Sequence, residues 1–201
     1  MRFPWPGCLN SRKTLLLLAL SLAVVLTAIG SGYVYWRVTR FDSLILLTAR
    51  QYRVDASLVK AIVHEESWFD PNSRGENGEI GLMQISPGAA REYVNYRRDK
   101  TGFPPDLFNP RMNLQVGCWY LRQSIDLFKE FPDPIPLAIA RYNAGESRVR
   151  QWVRTMENRV SGLSSSATRE SAFLQCIQIP STRDYVRRVL RRYRNQTLSP
   201  F

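Results

Sequence analysis

Apolar residues run along this chain in two regimes. From Leu15 to Trp36 there are 22 residues without a charge; beyond them, apolar and polar positions alternate with helical spacing. At about 1.5 Å per residue, a helix of that length spans a hydrocarbon core of about 30 Å. It closes on Tyr33, Tyr35 and Trp36, residue types that gather at the membrane–water interface. The pattern predicts a transmembrane anchor over residues 15–36, behind a basic cytoplasmic N-terminus over residues 1–14. A cleaved signal peptide fits the same segment, because Ala28-Ile29-Gly30 resembles a small-residue cleavage site. The apolar run continues past that site, which favours a retained anchor. Either way the basic end stays in the cytoplasm and the rest crosses the membrane, into the periplasm of a bacterium or, after cleavage, out of the cell.

Residues 37–201 read as one mainly α domain. An amphipathic helix is expected over residues 41–54. A second starts near Ala56 behind Asp55, a good N-cap. Asp70-Pro71-Asn72 stops it, and residues 73–80 form a Gly- and Asn-bearing loop. Pro87 opens a short helix, and residues 101–110 are a Pro-rich connection. Further helices are expected over residues 112–131, 136–142, 147–156 and 182–194, with a Ser-rich loop at residues 161–168. The chain shows no convincing strands, repeats or heptads.

The second helix holds the first chemical signal. With Leu58 at zero and about 100° per residue, Ile62, Val59 and Val63 fall near 40°, 100° and 140°. Glu66 falls near 80°, inside that apolar arc, while Glu65 lies near 340° at its edge. A carboxyl centred on a core-facing stripe loses hydration, which raises its pKa and suits it to general-acid work. Periodicity alone equally allows a helix-end glutamate turned back to water.

Charge adds a second signal. The chain has 28 basic and 17 acidic residues, a net charge of +11. Arg2, Arg12 and Lys13 precede the apolar run, so 25 bases face 17 acids beyond it, an excess of +8. Such an excess favours anionic partners. No zinc-finger spacing, Walker loop or RNA-binding signature points to nucleic acid, and a basic DNA- or lipid-binding domain would rest on charge alone. The arginines of the last helix read mainly as a solvated face. His64 is the only histidine and there is no cysteine cluster, so no metal and no cofactor are expected. Cys118 reads as a small core residue, and a Cys118–Cys176 disulfide is open in an oxidising compartment.

Four blocks in order then resemble the lytic transglycosylase family of the soluble, lysozyme-like type (glycoside hydrolase family 23). They are Glu66-Ser67; Gly81-Leu82-Met83-Gln84; Ala140 to Gly145, reading Ala-Arg-Tyr-Asn-Ala-Gly; and Thr182-Arg183-Asp184-Tyr185-Val186. Asn113, Gly117, Tyr120 and Leu121 make a weaker fifth. The likeness covers about residues 41–195. It implies a lysozyme-like helical domain with a substrate groove, acting on the peptidoglycan glycan strand. The implied reaction cleaves the β-1,4 bond between N-acetylmuramic acid and N-acetylglucosamine, leaving a 1,6-anhydromuramic end.

The resemblance assigns roles residue by residue. Glu66 is the catalytic acid and then base. Ser67 contacts substrate near it, unless its hydroxyl bonds backbone. Met83 and Gln84 line the groove, with Gln84 bonding sugar. The Tyr142 hydroxyl orients or hydrogen-bonds Glu66. Asn143 contacts sugar or holds its turn, and Tyr185 forms groove wall or packs. Three departures touch the cleft. Ser181 stands where the family often has Glu, Gly75-Glu76 where many members have Ser-Pro, and Ser86 where methionine is frequent. The rival readings are a muramidase whose water-activating base is Glu65, Asp70 or Glu79, and an inactive peptidoglycan-binding scaffold. A monomer is expected.

Overall fold

The computed structural model describes residues 11–97, 105–159 and 166–196. The chain divides into two units, Met1–Arg40 and Phe41–Phe201. In the first, helix α1 (Ser11–Thr39) turns its apolar side chains outward: Leu15, Leu18, Leu22 and Leu26 are each more than half exposed. The helix is long and apolar enough to cross a membrane. Two hydroxyls in its apolar stretch are satisfied internally, Ser21 donating to the Leu18 carbonyl and Thr27 to that of Ala23, each at 2.8 Å. Hydrocarbon would offer those groups no other partner.

The second unit is helical among its described residues. Its elements are α2 (Asp42–Tyr52), α3 (Ala56–Ser67), α4 (Pro87–Arg97), α5 (Pro110–Leu127), α6 (Ile135–Ala144), α7 (Glu146–Arg159), α8 (Ser166–Cys176) and α9 (Pro180–Gln196). α3 packs on α9 and α2; α5 packs on α6, α2 and α4; α9 also meets α6. The Asp55 carboxylate caps α3 by accepting from the Ser57 N–H at 2.7 Å. Behind the cap, Leu58, Val59, Ala61, Ile62 and Val63 are wholly buried. Each of the larger three types stabilises the fold by about 1.5–3 kcal/mol relative to an exposed side chain. α6 is buried from Pro136 to Arg141, as befits a helix that is apolar nearly all round.

Two expectations need correction, and the structure answers one question the sequence left open. α5 stops at Leu127, not residue 131, where Phe128 leaves helical geometry and buries its ring. α8 begins at Ser166, within the stretch expected to be a loop; the rest of that loop, residues 161–165, lies outside the described residues. Cys118 and Cys176 are both free and buried, Cys118 in α5 and Cys176 in α8, which packs on α7 and α6. No disulfide joins them.

Candidate active site

The last turn of α3, the 73–86 loop, the middle of α5 and the end of α6 close around a polar cavity of about 360 Å³. Glu66, Glu79, Gln84, Tyr120, Tyr142 and Asn143 are among its lining residues. A larger, mostly apolar recess of about 570 Å³, between α4 and the 105–108 segment, does not include Glu66.

The cavity floor depends on the Gly81–Gln84 turn. Gly81 takes φ 80°, and a Cβ there would meet Asn113 Nδ2 at 2.3 Å and the Leu107 carbonyl at 2.4 Å. Only glycine meets both conditions. Asn113, wholly buried on α5, ties the turn down: its Oδ1 accepts from the Met83 N–H at 2.8 Å, and its Nδ2 donates to the carbonyls of Ile80 and Leu107 at 2.7 and 2.9 Å. Gln84 is held left-handed at φ 45°, with its Nε2 donating to the Gly81 and Ser73 carbonyls at 2.9 and 3.2 Å. Trp68 and Phe69, directly after Glu66-Ser67, are also left-handed, at φ 50° and 63°. Such backbone costs about 1–3 kcal/mol per residue and persists where packing enforces it. Here Phe69 is 1% exposed.

Glu66 keeps an opening toward the cavity but is crowded by protein on its other sides. The Tyr185 hydroxyl donates to its Oε1 at 2.5 Å. Burial pushes its pKa up to about 7; the Tyr185 bond opposes this, and the charges of Glu79 and then Glu65 add to it. The group therefore still carries a proton in a large fraction of molecules near neutral pH. Burial, with the Glu66 charge next, pushes the phenols of Tyr142 and Tyr185 well above their ordinary range, so both remain donors.

Glu65 has the opposite setting. Arg188 reaches it at 2.6 Å from α9, and Arg192 bonds its other oxygen. Although burial pushes its carboxyl up, the hydrogen bonds from Arg192 and Arg188 outweigh that and hold it below the usual range. Adjacent carboxyls driven apart in this way mark an acid and a permanently charged partner. Behind the cavity, the buried Arg141 donates to Ser124 Oγ at 2.6 Å and to Glu146 at 3.3 Å. Its guanidinium lies 4.5 Å from the Tyr120 ring centroid, and that ring packs edge-on against Tyr142 at 5.7 Å. No group of three or more His, Cys, Asp or Glu able to hold a metal occurs among the described residues.

The family model for the transglycosylase SLT domain matches residues 43–161. The chain belongs to that family. The soluble lytic murein transglycosylase of Salmonella typhimurium is 32% identical over 152 residues, 75% of this chain and 22% of that protein. The membrane-bound lytic murein transglycosylase E of Buchnera aphidicola is 36% identical over 83 residues, 40% of this chain and 38% of that one. Among solved structures, the 70 kDa soluble lytic transglycosylase of Escherichia coli superposes with a TM-score of 0.64 at 28% identity, covering 79% of this chain and 24% of that one. An inactive Glu-to-Gln mutant of the Pseudomonas aeruginosa transglycosylase Slt gives 0.62 at 29%, covering 81% and 25%. The chain thus spans about a quarter of the length of the soluble relatives it matches.

Within this SLT domain, Glu66, Gln84, Tyr142 and Asn143 share the cavity. Met83 departs from its expected place, while Ser67 and Tyr185 take the backbone-bonding and packing alternatives left open for them. Met83 is wholly buried against Gly117, where a Cβ would meet its Sδ at 2.2 Å, so its side chain does not line the groove. The Ser67 hydroxyl donates to the Leu82 carbonyl at 2.8 Å, tying α3 to the turn, and Ser67 is not a lining residue. The two tyrosines exchange the expected parts. Tyr142 donates to the Met83 carbonyl at 2.8 Å, while buried Tyr185 is the one bonded to Glu66. Asn143 Oδ1 accepts from Thr182 Oγ1 at 2.8 Å, joining α6 to α9. Sequence reasoning did not assign Tyr120 to the site, although it sits in the weaker fifth block. Glu79 appeared there only as a rival base.

Proposed function

We propose that this SLT domain is a peptidoglycan lytic transglycosylase, cutting between N-acetylmuramic acid and N-acetylglucosamine without water. The observation that carries this reading is Glu66: a cavity-lining acid with its pKa pushed up to about 7. Its Oε1 accepts from the Tyr185 hydroxyl, and no hydrogen bond among the described residues occupies Oε2. Glu66 gives its proton to the glycosidic oxygen as the C1–O4 bond breaks. The C6 hydroxyl of the muramic acid then attacks C1 while Glu66, now a carboxylate held by the Tyr185 hydroxyl, takes the proton back. One carboxyl serves both transfers, so no paired catalytic acid at about 5 or 6.5–9.5 Å is required. The soluble and membrane-bound relatives are named as lytic murein transglycosylases, which supports the same substrate here.

Two other candidate bases are engaged elsewhere. Glu65 is paired with Arg188 and Arg192, and Asp70 Oδ1 accepts from the Asn72 N–H at 2.9 Å. Gln84 and Asn143 supply the polar surface for sugar, and Tyr120 and Tyr142 the aromatic surface. Digestion of isolated peptidoglycan followed by mass spectrometry tests the reaction. Products lighter by one water than hydrolysed muropeptides are expected, and Glu66→Gln should abolish them. Hydrolysed products, or undiminished cleavage by the variant, would reject it.

We further infer that residues 15–36 anchor the chain in the inner membrane, leaving residues 37–201 as a monomeric domain in the periplasm. The apolar, outward-facing surface of α1 supports this. The full chain should stay with membranes after an alkaline carbonate wash; release into the supernatant would contradict it.

A further inference from the structure

The loop that carries the cavity floor also brings in a second carboxylate. The 74–85 segment is a tight double-back, with isolated bridges pairing Arg74 with Ile80 and Ile80 with Ile85. At its tip Glu79 turns into the cavity that Glu66 lines. Its seat is specific. Oε2 accepts from the Asn77 N–H at 3.0 Å, and the Gly75 N–H donates to the Glu79 carbonyl at 2.8 Å. A Cβ on Gly75 would lie 2.3 Å from Glu79 Oε2 and 3.0 Å from Gln84 Oε1. Glycine at position 75 is therefore what gives this carboxylate its place beside Gln84. No ion pair among the described residues neutralises Glu79, unlike Glu65, which carries two arginines.

We propose that Glu79, seated over Gly75, is a positioning residue for the reaction: its uncompensated charge acts on the Glu66 carboxyl across the cavity and sets the pH range in which that acid works. This rests on the reading of Glu66 as general acid. Like charges sharing a site oppose the ionisation of one member. The titratable groups around Glu66 are Tyr185 from α9, Tyr142 from α6, Tyr120 from α5, Glu79 from the loop and its own neighbour Glu65. The three tyrosines are neutral, and the Glu65 charge is matched by Arg188 and Arg192. Glu79 is the unmatched one. When Glu66 holds its proton, the cavity carries the single charge of Glu79. When Glu66 gives the proton up, the two charges repel, which favours its return from the C6 hydroxyl.

The test is the pH profile of cleavage by Glu79→Gln, an exchange that keeps the side chain's shape and its acceptor for the Asn77 N–H. Removing the charge eases ionisation of Glu66, and a general acid works only while protonated. The alkaline limb should therefore move to lower pH by about half to one unit. The rate deficit should grow with pH to a factor of about three to ten, and Glu79→Asp should restore part of the shift. An unmoved limb, or a loss equal at every pH, would overturn the role of Glu79. The general-acid reading would still stand if wild-type products remained anhydro forms. Wild-type products of hydrolysed mass would instead sink the reading beneath it. If the glutamine variant is too slow to assay, titration of isotope-labelled glutamate carboxyls reports the same shift in Glu66 directly.

Discussion

At about 100° of rotation per residue, Glu65 and Glu66 look into different surroundings from one helical turn. Glu65 meets two guanidinium groups from α9 that hold its carboxyl below the usual range, while Glu66 meets a phenol and a cavity wall, and burial pushes its pKa up to about 7. In the proposed cycle the Tyr185 bond matters for the second half, because it stabilises the carboxylate and not the acid. A hydrogen bond to a charged group contributes about 1.5–3 kcal/mol, and one pKa unit is worth about 1.4 kcal/mol. Tyr185→Phe should therefore move the alkaline limb of the rate profile upward by about one unit, opposite in sign to Glu79→Gln. The maximal rate should fall about tenfold, since the carboxylate loses its donor. A limb that stays put or moves down would remove Tyr185 from this role. The helical period of α3 carried enough information to set Glu66 apart from Glu65. It carried none about which tyrosine reaches it. Tyr142 lies in the more suggestive motif, but the approach of α9 to α3 decides the contact, and that is a tertiary fact.

The elements divide by how much of their reason for existing is local. α3 has a side-chain cap and a clean apolar arc, and its start was readable from both. α8 has neither a described cap bond nor a strong apolar stripe; it buries Phe173, Leu174 and Cys176 against neighbours the sequence does not name. The Gly81–Gln84 turn is the intermediate case. Its glycine was visible in the sequence, but its dependence on Asn113, 30 residues beyond Met83, was not. Removing that amide strands the buried Met83 N–H and the Leu107 carbonyl, each worth about 1–3 kcal/mol unsatisfied, while the Ile80 carbonyl keeps its bond from the Ile85 N–H at 3.0 Å. Asn113→Ala should lower unfolding free energy in urea by about 2–4 kcal/mol without changing the denaturant slope. Cleavage should drop by more than the folded fraction explains, because Gln84 and the Glu79 loop lose their anchor. A stability loss under 1 kcal/mol (about the least that one stranded group costs) would show that the turn holds itself.

On the scale of the whole chain, an apolar helix precedes a basic helical unit with a polar cavity in which burial pushes the pKa of Glu66 up to about 7. The excess of +8 beyond the apolar run suits a surface that works beside anionic polymer and lipid. Part of that excess is structural, since Arg188 and Arg192 dock α9 on α3 and Arg141 buttresses Tyr120. Charge counts alone had suggested a mainly solvated arginine face. The proposed chemistry converges on the proton of Glu66, so its titration is the most direct measurement. In wild-type protein with labelled glutamate carboxyls, one group should titrate near pH 7 and vanish from the spectrum of Glu66→Gln. If Glu66 titrates at 4.5, the ordinary value for a glutamate, or below it, the burial-tuned acid does not exist.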